Sequence, residues 1–244
     1  MFMMKYPNFY QYRLGAAETT LMNLTSAYAP FVNGGKKIDP KLISRIQDRR
    51  GKTIFQEKSI KCIGCDKFIN NKETELPKIE NNSEKVFSEE TAYQMTSILQ
   101  GAVKRGTAKK LRSLNVPLAG KTGTTNDNYD AWFIGFSSNL VIGVYVGFDN
   151  PKTLGKFETG SKAALPIFKD FVEKALYKED FEEFKIPANI YLTSINYNTG
   201  TKSAPGEKNV ITEALKLRDI NNIDNNNLIS TNGRDKTVKF RQFY

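Results

Sequence analysis

Residues 119–136 read AGKTGTTNDNYDAWFIGF: a Lys/Thr/Gly segment, a polar turn, then an almost wholly apolar run. Lys121 offers a fixed positive charge, and the hydroxyls of Thr122 and Thr124 can donate to a carboxylate. Gly123 has no side chain, so an extended ligand can lie against this segment as an added strand. The backbone N–H of Thr124 then faces the ligand as half of an oxyanion hole. A phosphate-binding loop does not fit, because position 115 is Asn where that loop needs glycine. The segment also continues into a strand, not a helix. On three residues alone an ordinary turn accounts for KTG equally well, so the neighbouring sequence has to discriminate.

Outward from this stretch, strands are expected over 117–125, 131–137 and 140–148. The connections NDNY and SSN are short enough to force antiparallel neighbours. AWFIGF and LVIGVYVGF are apolar at nearly every position, which calls for helices over both faces of the sheet. SEETAYQMTSILQGAVKRG (88–106) is the clearest helix: Ser88 caps it, Glu89 and Glu90 occupy the first turn, Lys104 and Arg105 the last, and Gly106 stops it. Met95, Ile98, Leu99, Ala102 and Val103 form its expected core face. A second helix, over 18–35, carries Leu21, Leu24, Tyr28 and Phe31, is disturbed at Pro30 and ends at Gly34. A third follows over 163–177. Residues 36–56 alternate around the Asp48–Gly51 turn as a hairpin, and 58–86 are polar and weakly periodic, an insertion loop.

A chain of 244 residues holds one sizeable domain, or a domain with a tail. Its formal net charge is +10, but the lysines and arginines are scattered without a basic stripe or a recognisable nucleic-acid module. A solvated lysine-rich surface accounts for this, with a face toward anionic phospholipid or an acidic wall polymer left open. No apolar run is long enough to span a membrane, and MFMMKYPNFYQYRLG lacks the pattern of an export signal. Histidine is absent, which excludes Ser-His-Asp and Cys-His catalysis and histidine-based metal sites within these residues. Cys62 and Cys65 are too few for a zinc site; a local disulfide and an inert thiol pair both remain open.

GKTGTTNDNYDAWFIGFSSNLVIGVYVGFDNPKTLG resembles the KTG strand, neighbouring strands and following loop of the class A, bifunctional penicillin-binding proteins, most closely the 1A type. The similarity continues in LGAAETTLMNLTSAYAPFVNGGKKIDPKLISRIQDRRGKTIF, in FSEETAYQMTSILQGAVKRGTAKKL, and in YNTGTKS and VITEALK. The resemblance implies an α/β transpeptidase fold of the penicillin-binding-protein/β-lactamase type. In it, 1–184 are the C-terminal portion of the transpeptidase domain and 185–219 an irregular family-like tail; beyond the resemblance, the asparagine-rich composition of 220–244 reads as disordered. The resemblance further implies serine acyl transfer on D-Ala-D-Ala stem peptides and on β-lactams, with no metal and no cofactor. Lys121 would support proton traffic, Thr122 and Thr124 would hold the terminal carboxylate, Gly123 would permit close approach, and the Thr124 N–H would complete the oxyanion hole. The parent would be anchored in the inner membrane with this domain in the periplasm, where Cys62 and Cys65 would be disulfide-bonded.

The sequence departs from the family in one respect. No SxxK nucleophile motif occurs in it, and its SxN triplets, Ser137-Ser138-Asn139, Ser194-Ile195-Asn196 and Ser230-Thr231-Asn232, all follow KTG instead of preceding it. The expectation is therefore the C-terminal part of a split or truncated synthase, with an inactive remnant or a non-catalytic module that associates with the missing half as the alternative. Such a piece should leave the 140–148 strand with an open edge, and part of AWFIGF without cover.

Overall fold

The computed structural model describes residues 19–57, 60–63, 78–81, 83–177, 181–217 and 219. These divide into two compact units, one of the described residues up to Tyr28 with Gln100–Glu182, the other of Ala29–Leu99 with those from Glu183 onward. The expected insertion and tail boundaries at 58–86 and 185–219 lie within the second.

In the first unit, β5 (Ala119–Thr124), β6 (Ala131–Phe136) and β7 (Val141–Val146) form an antiparallel sheet in the order β5-β6-β7. The register pairs Gly123 with Trp132 and Trp132 with Tyr145. Side chains alternate across a strand, so Phe133 and Gly135 share one face of the sheet with Thr122 and Thr124. Helix α3 (Ala164–Ala175) lies on that face through Leu165, Phe168 and Val172, an i, i+3, i+7 stripe that is fully buried. The ring of Phe168 meets Phe133 edge-on at 4.9 Å between centroids. It also fills the space beside Gly135, where a Cβ would stand 2.5 Å from its ring carbons. Leu111 and Leu114 of the 3-10 turn Lys109–Leu114 complete this core.

The opposite face is covered as well. Helix α1 (Leu21–Val32) starts under a cap, with the Asn23 N–H donating to Thr20 Oγ1 at 3.2 Å. Leu21 and Thr25 close on Gly143, and Tyr28 meets Phe136 at 6.2 Å between ring centroids. Burial raises the Tyr28 phenol above its ordinary pKa. The expectation that part of AWFIGF lies uncovered is therefore corrected: Ala131, Phe133, Ile134 and Phe136 are all buried. Among the described residues, β7 pairs on one side only, as expected, and its valines are half-buried.

Helix α2 (Glu89–Lys104), which lies in the second unit as far as Leu99, begins where Ser88 caps it, its Oγ accepting from the Thr91 N–H at 3.2 Å. Its buried stripe begins with Ala92, Thr96 and Leu99, and Ile98 is exposed, contrary to the face drawn from the sequence. Thr96 can occupy the core because its hydroxyl bonds to Phe31 O and Ala92 O, leaving no unmet polar group. Hairpin β1 (Arg45–Gln47) with β2 (Thr53–Gln56) turns where the sequence predicts it. The 58–86 segment is not wholly a loop: β3 (Ile60–Ile63) and β4 (Lys78–Asn81) pair antiparallel at its base. The tail is also more regular than expected, since β8 (Ile190–Asn196) and β9 (Val210–Lys216) make seven consecutive pairs.

Candidate functional site

The site is built on β5, which among the described residues has a strand partner only in β6. Which backbone groups face the free side follows from the alternation of an antiparallel ladder. The Thr125 N–H donates to Asp130 O at 3.1 Å and the Asp130 N–H to Thr125 Oγ1 at 2.8 Å, so the backbone of 125 turns toward that of 130. Every second residue shares this orientation, so Lys121 and Gly123 turn their backbone groups toward β6. The N–H and C=O of Thr122 and Thr124 therefore point out of the sheet, along the open edge.

Side chains gather at the same place. Lys121 is exposed and its Nζ donates to Thr122 O at 2.8 Å, an outward-facing carbonyl. Thr122 Oγ1 and Thr107 Oγ1 are 3.0 Å apart, one hydroxyl donating to the other. Thr124 Oγ1 accepts from the Gly160 N–H at 3.0 Å, which leaves its own proton available to a ligand. One ammonium, two hydroxyls and two strand N–H groups thus line one edge and carry no carboxylate of their own. That set suits an anion next to a polarised carbonyl.

Two residues of this arrangement escaped the sequence reading. Gly160 lies against the Gly123/Trp132 pair, where a Cβ would come 2.5 Å from Gly123 O, so only glycine permits this approach. Thr107 holds Thr122. Their signals, a glycine between hydroxyl residues in ETGSKA and the RGTA that follows α2, are legible only once the partner strand is known. The turn after β5 is fastened too. Asp127 and Asn128 take left-handed conformations, with φ of 55° at each, and the Leu154 N–H and Thr153 hydroxyl donate to their carbonyls. Tyr145 donates to Asp130 Oδ1 at 2.8 Å, and its ring lies 4.6 Å from that of Trp132. This bond, with some burial, raises the Tyr145 pKa.

The SxN triplets are not brought to this edge. Ser137 is buried in the β6–β7 turn with its Oγ on Asn139 Oδ1, at the opposite end of the sheet from Thr124. Ser194 to Asn196 belong to β8, and Ser230 lies outside the described residues. Cys65 also lies outside them, so the pair Cys62/Cys65 has no described geometry. No helix among the described residues is long and apolar enough to cross a membrane.

A helix-covered antiparallel sheet with KTG on its free edge is the arrangement of a penicillin-binding transpeptidase. The family described as the penicillin binding protein transpeptidase domain matches residues 8–173, and the chain belongs to it. It is 41% identical over 223 residues to penicillin-binding protein 1A of Rickettsia conorii, covering 90% of this chain and 28% of that protein. It is 34% identical to penicillin-binding protein 1A of Pseudomonas aeruginosa, covering 87% of this chain and 29% of that one. Penicillin-binding protein 1A from Haemophilus influenzae, known from a crystal structure, shares 32% identity with a TM-score of 0.69 over 85% of this chain and 33% of that one. The chain thus spans less than a third of the length of these relatives. The resemblance to the 1A type and to the transpeptidase fold is borne out.

Proposed function

We propose that the β5 edge is the carboxylate- and carbonyl-holding wall of a D,D-transpeptidase site that cross-links peptidoglycan stem peptides. The observation that carries this is the strand parity, which turns the N–H and C=O of Thr122 and Thr124 outward beside Lys121. A peptide ending in D-Ala-D-Ala adds to that edge as a strand, its terminal carboxylate on the Thr122 and Thr124 hydroxyls and Lys121. The penultimate carbonyl oxygen then meets the Thr124 N–H.

A serine hydroxyl attacks that carbonyl carbon, and the negative charge forming on its oxygen is stabilised by the N–H. Lys121 helps conduct the serine proton to the departing D-Ala amine. An amine of a second stem peptide then displaces the serine and forms the cross-link. The four-membered ring of a β-lactam opens along the same path, with its carboxylate in the same place. The serine comes from an SxxK-bearing segment outside these 244 residues, which contain no such motif. The natural setting is the periplasmic side of an inner-membrane-anchored protein, where Cys62 and Cys65 form a short-range disulfide.

Absence of SxxK from the 244 residues favours a second reading, a non-catalytic remnant or module that only associates with a nucleophile-bearing partner. A fluorescent penicillin separates the two. The chain alone should form no adduct that survives denaturation, and the chain together with its SxxK-bearing segment should label on that segment's serine. Lys121→Ala should reduce labelling of the pair. A label mapping to a serine within residues 1–244 overturns the proposal, and no label on the reconstituted pair establishes the second reading.

A further inference from the structure

The loop from β7 to α3 carries a feature that the transpeptidase scheme does not use. Phe157 is 62% exposed, and two ammonium groups converge on its ring, Lys156 Nζ at 5.3 Å and Lys162 Nζ at 5.5 Å from the centroid. The two charges are therefore held within about 11 Å of one another, where they repel. Among the described ion pairs, none engages either lysine with a carboxylate. The acid in the loop, Glu158, packs its Cγ beside Gly155 instead.

Phe157 is also held with φ at 77°, a left-handed conformation unusual for a bulky residue, inside the turn closed by Glu158 N–H to Gly155 O at 3.2 Å. An exposed ring fixed in this way, with unneutralised cations over it, suits a ligand that presents a carboxylate next to apolar chain.

The same loop is anchored to β5. Gly160 donates to Thr124 Oγ1, and Phe157 is three residues from Gly160, so their Cα atoms are at most about 11 Å apart. Lys162 is two residues away on the other side, within about 8 Å. An extended peptide advances about 3.3 Å per residue, so the cluster lies within roughly three residues of whatever Thr124 holds.

We propose that Lys156, Phe157 and Lys162 form a second anion subsite, which takes a carboxylate carried by the peptide within about three residues of its terminal carboxylate. This rests on the β5 edge holding that terminus. The ring supplies apolar contact and keeps the two ammonium groups in place, and the ligand carboxylate relieves their mutual repulsion. Charge at this subsite also draws an anionic peptide toward β5, more strongly at low salt.

Trp132, the sole tryptophan of the sequence, pairs with Gly123 and reports on the site by fluorescence. The full chain is titrated with two peptides ending in D-Ala-D-Ala, identical except that one has a free side-chain carboxylate two residues upstream and the other has it amidated. The carboxylated peptide should bind about tenfold tighter at low salt, a preference that shrinks as salt screens it. The double variant Lys156→Gln/Lys162→Gln should bind both peptides alike, and Phe157→Ala should lose part of the preference. Thr124→Val should weaken both peptides equally. If wild-type protein shows no preference, or the double variant retains it, the subsite is refuted. If Thr124→Val leaves both affinities unchanged, the β5 reading falls, and the peptide preference still decides the subsite. If the lysine variants change binding only to a polyanionic polymer, the cluster serves that partner and the inference is overturned.

Discussion

Strands β6 and β2 both carry consecutive large apolar side chains, yet their surroundings are opposite. Phe133, Ile134 and Phe136 of β6 are 2% exposed or less, whereas Ile54 and Phe55 of β2 are 65% and 44% exposed. Nothing in the two short sequences separates these outcomes. The difference lies in what packs on each strand. On β6, α3 covers one face with Phe168 and α1 the other with Leu21 and Tyr28. On β2, Phe55 has the cross-strand neighbour Ile46, itself 41% exposed. Apolar content therefore sets what a strand can bury, and the elements on its two faces decide what it does bury.

The largest expected effect breaks the covered side. Phe168→Ala removes a fully buried ring from between Gly135 and Phe133, and should cost about 3–5 kcal/mol in denaturant unfolding of the first unit. Phe55→Ala on the open hairpin should cost at most roughly 1 kcal/mol. Equal costs at the two positions would mean that β2 is covered in solution after all.

A smaller effect, confined to the site, follows from Gly160→Ala. The added Cβ would come 2.5 Å from Gly123 O and must push the loop off β5, separating the Gly160 N–H from Thr124. Penicillin labelling of the reconstituted pair should fall about tenfold or more, while the unfolding midpoint moves little. Unchanged labelling would show that the loop does not position Thr124.

The mildest effect concerns the start of α2. Glu90 is held at about 2, below its ordinary 4.5, first by the Ser88 hydroxyl, then by a backbone N–H and by Asn189. Its folded value is depressed, so its contribution is fully present above about pH 4.5 and disappears as pH falls toward 2. Thermal unfolding should weaken across that window, and Glu90→Gln should flatten the decline. A variant with the same acid profile as wild type would place the pH sensitivity elsewhere.

Much of the molecule could be read without coordinates. The three strands around KTG, the helix capped at Ser88, the 36–56 hairpin and the family itself are written in local spacing and local chemistry. The exposed Ile98 and the buried Thr96 were not, because a threonine enters a core only when a carbonyl such as Phe31 O is there to receive its hydroxyl. Similarly, 58–86 looked like plain loop because β3 and β4 are four residues each, too short to show an alternating pattern.

By itself, then, the amino-acid sequence determined the strand that carries Lys121, Thr122, Gly123 and Thr124, and the turn that reverses the chain after it. Tertiary structure alone decided which backbone groups of that strand face outward and which distant residues hold its hydroxyls. Thr107 reaches Thr122 across 15 positions and Gly160 reaches Thr124 across 36. Propensity, periodicity and capping act within one or two turns of chain, and contacts at such separations exist only after the sheet has formed and the loop has closed over it.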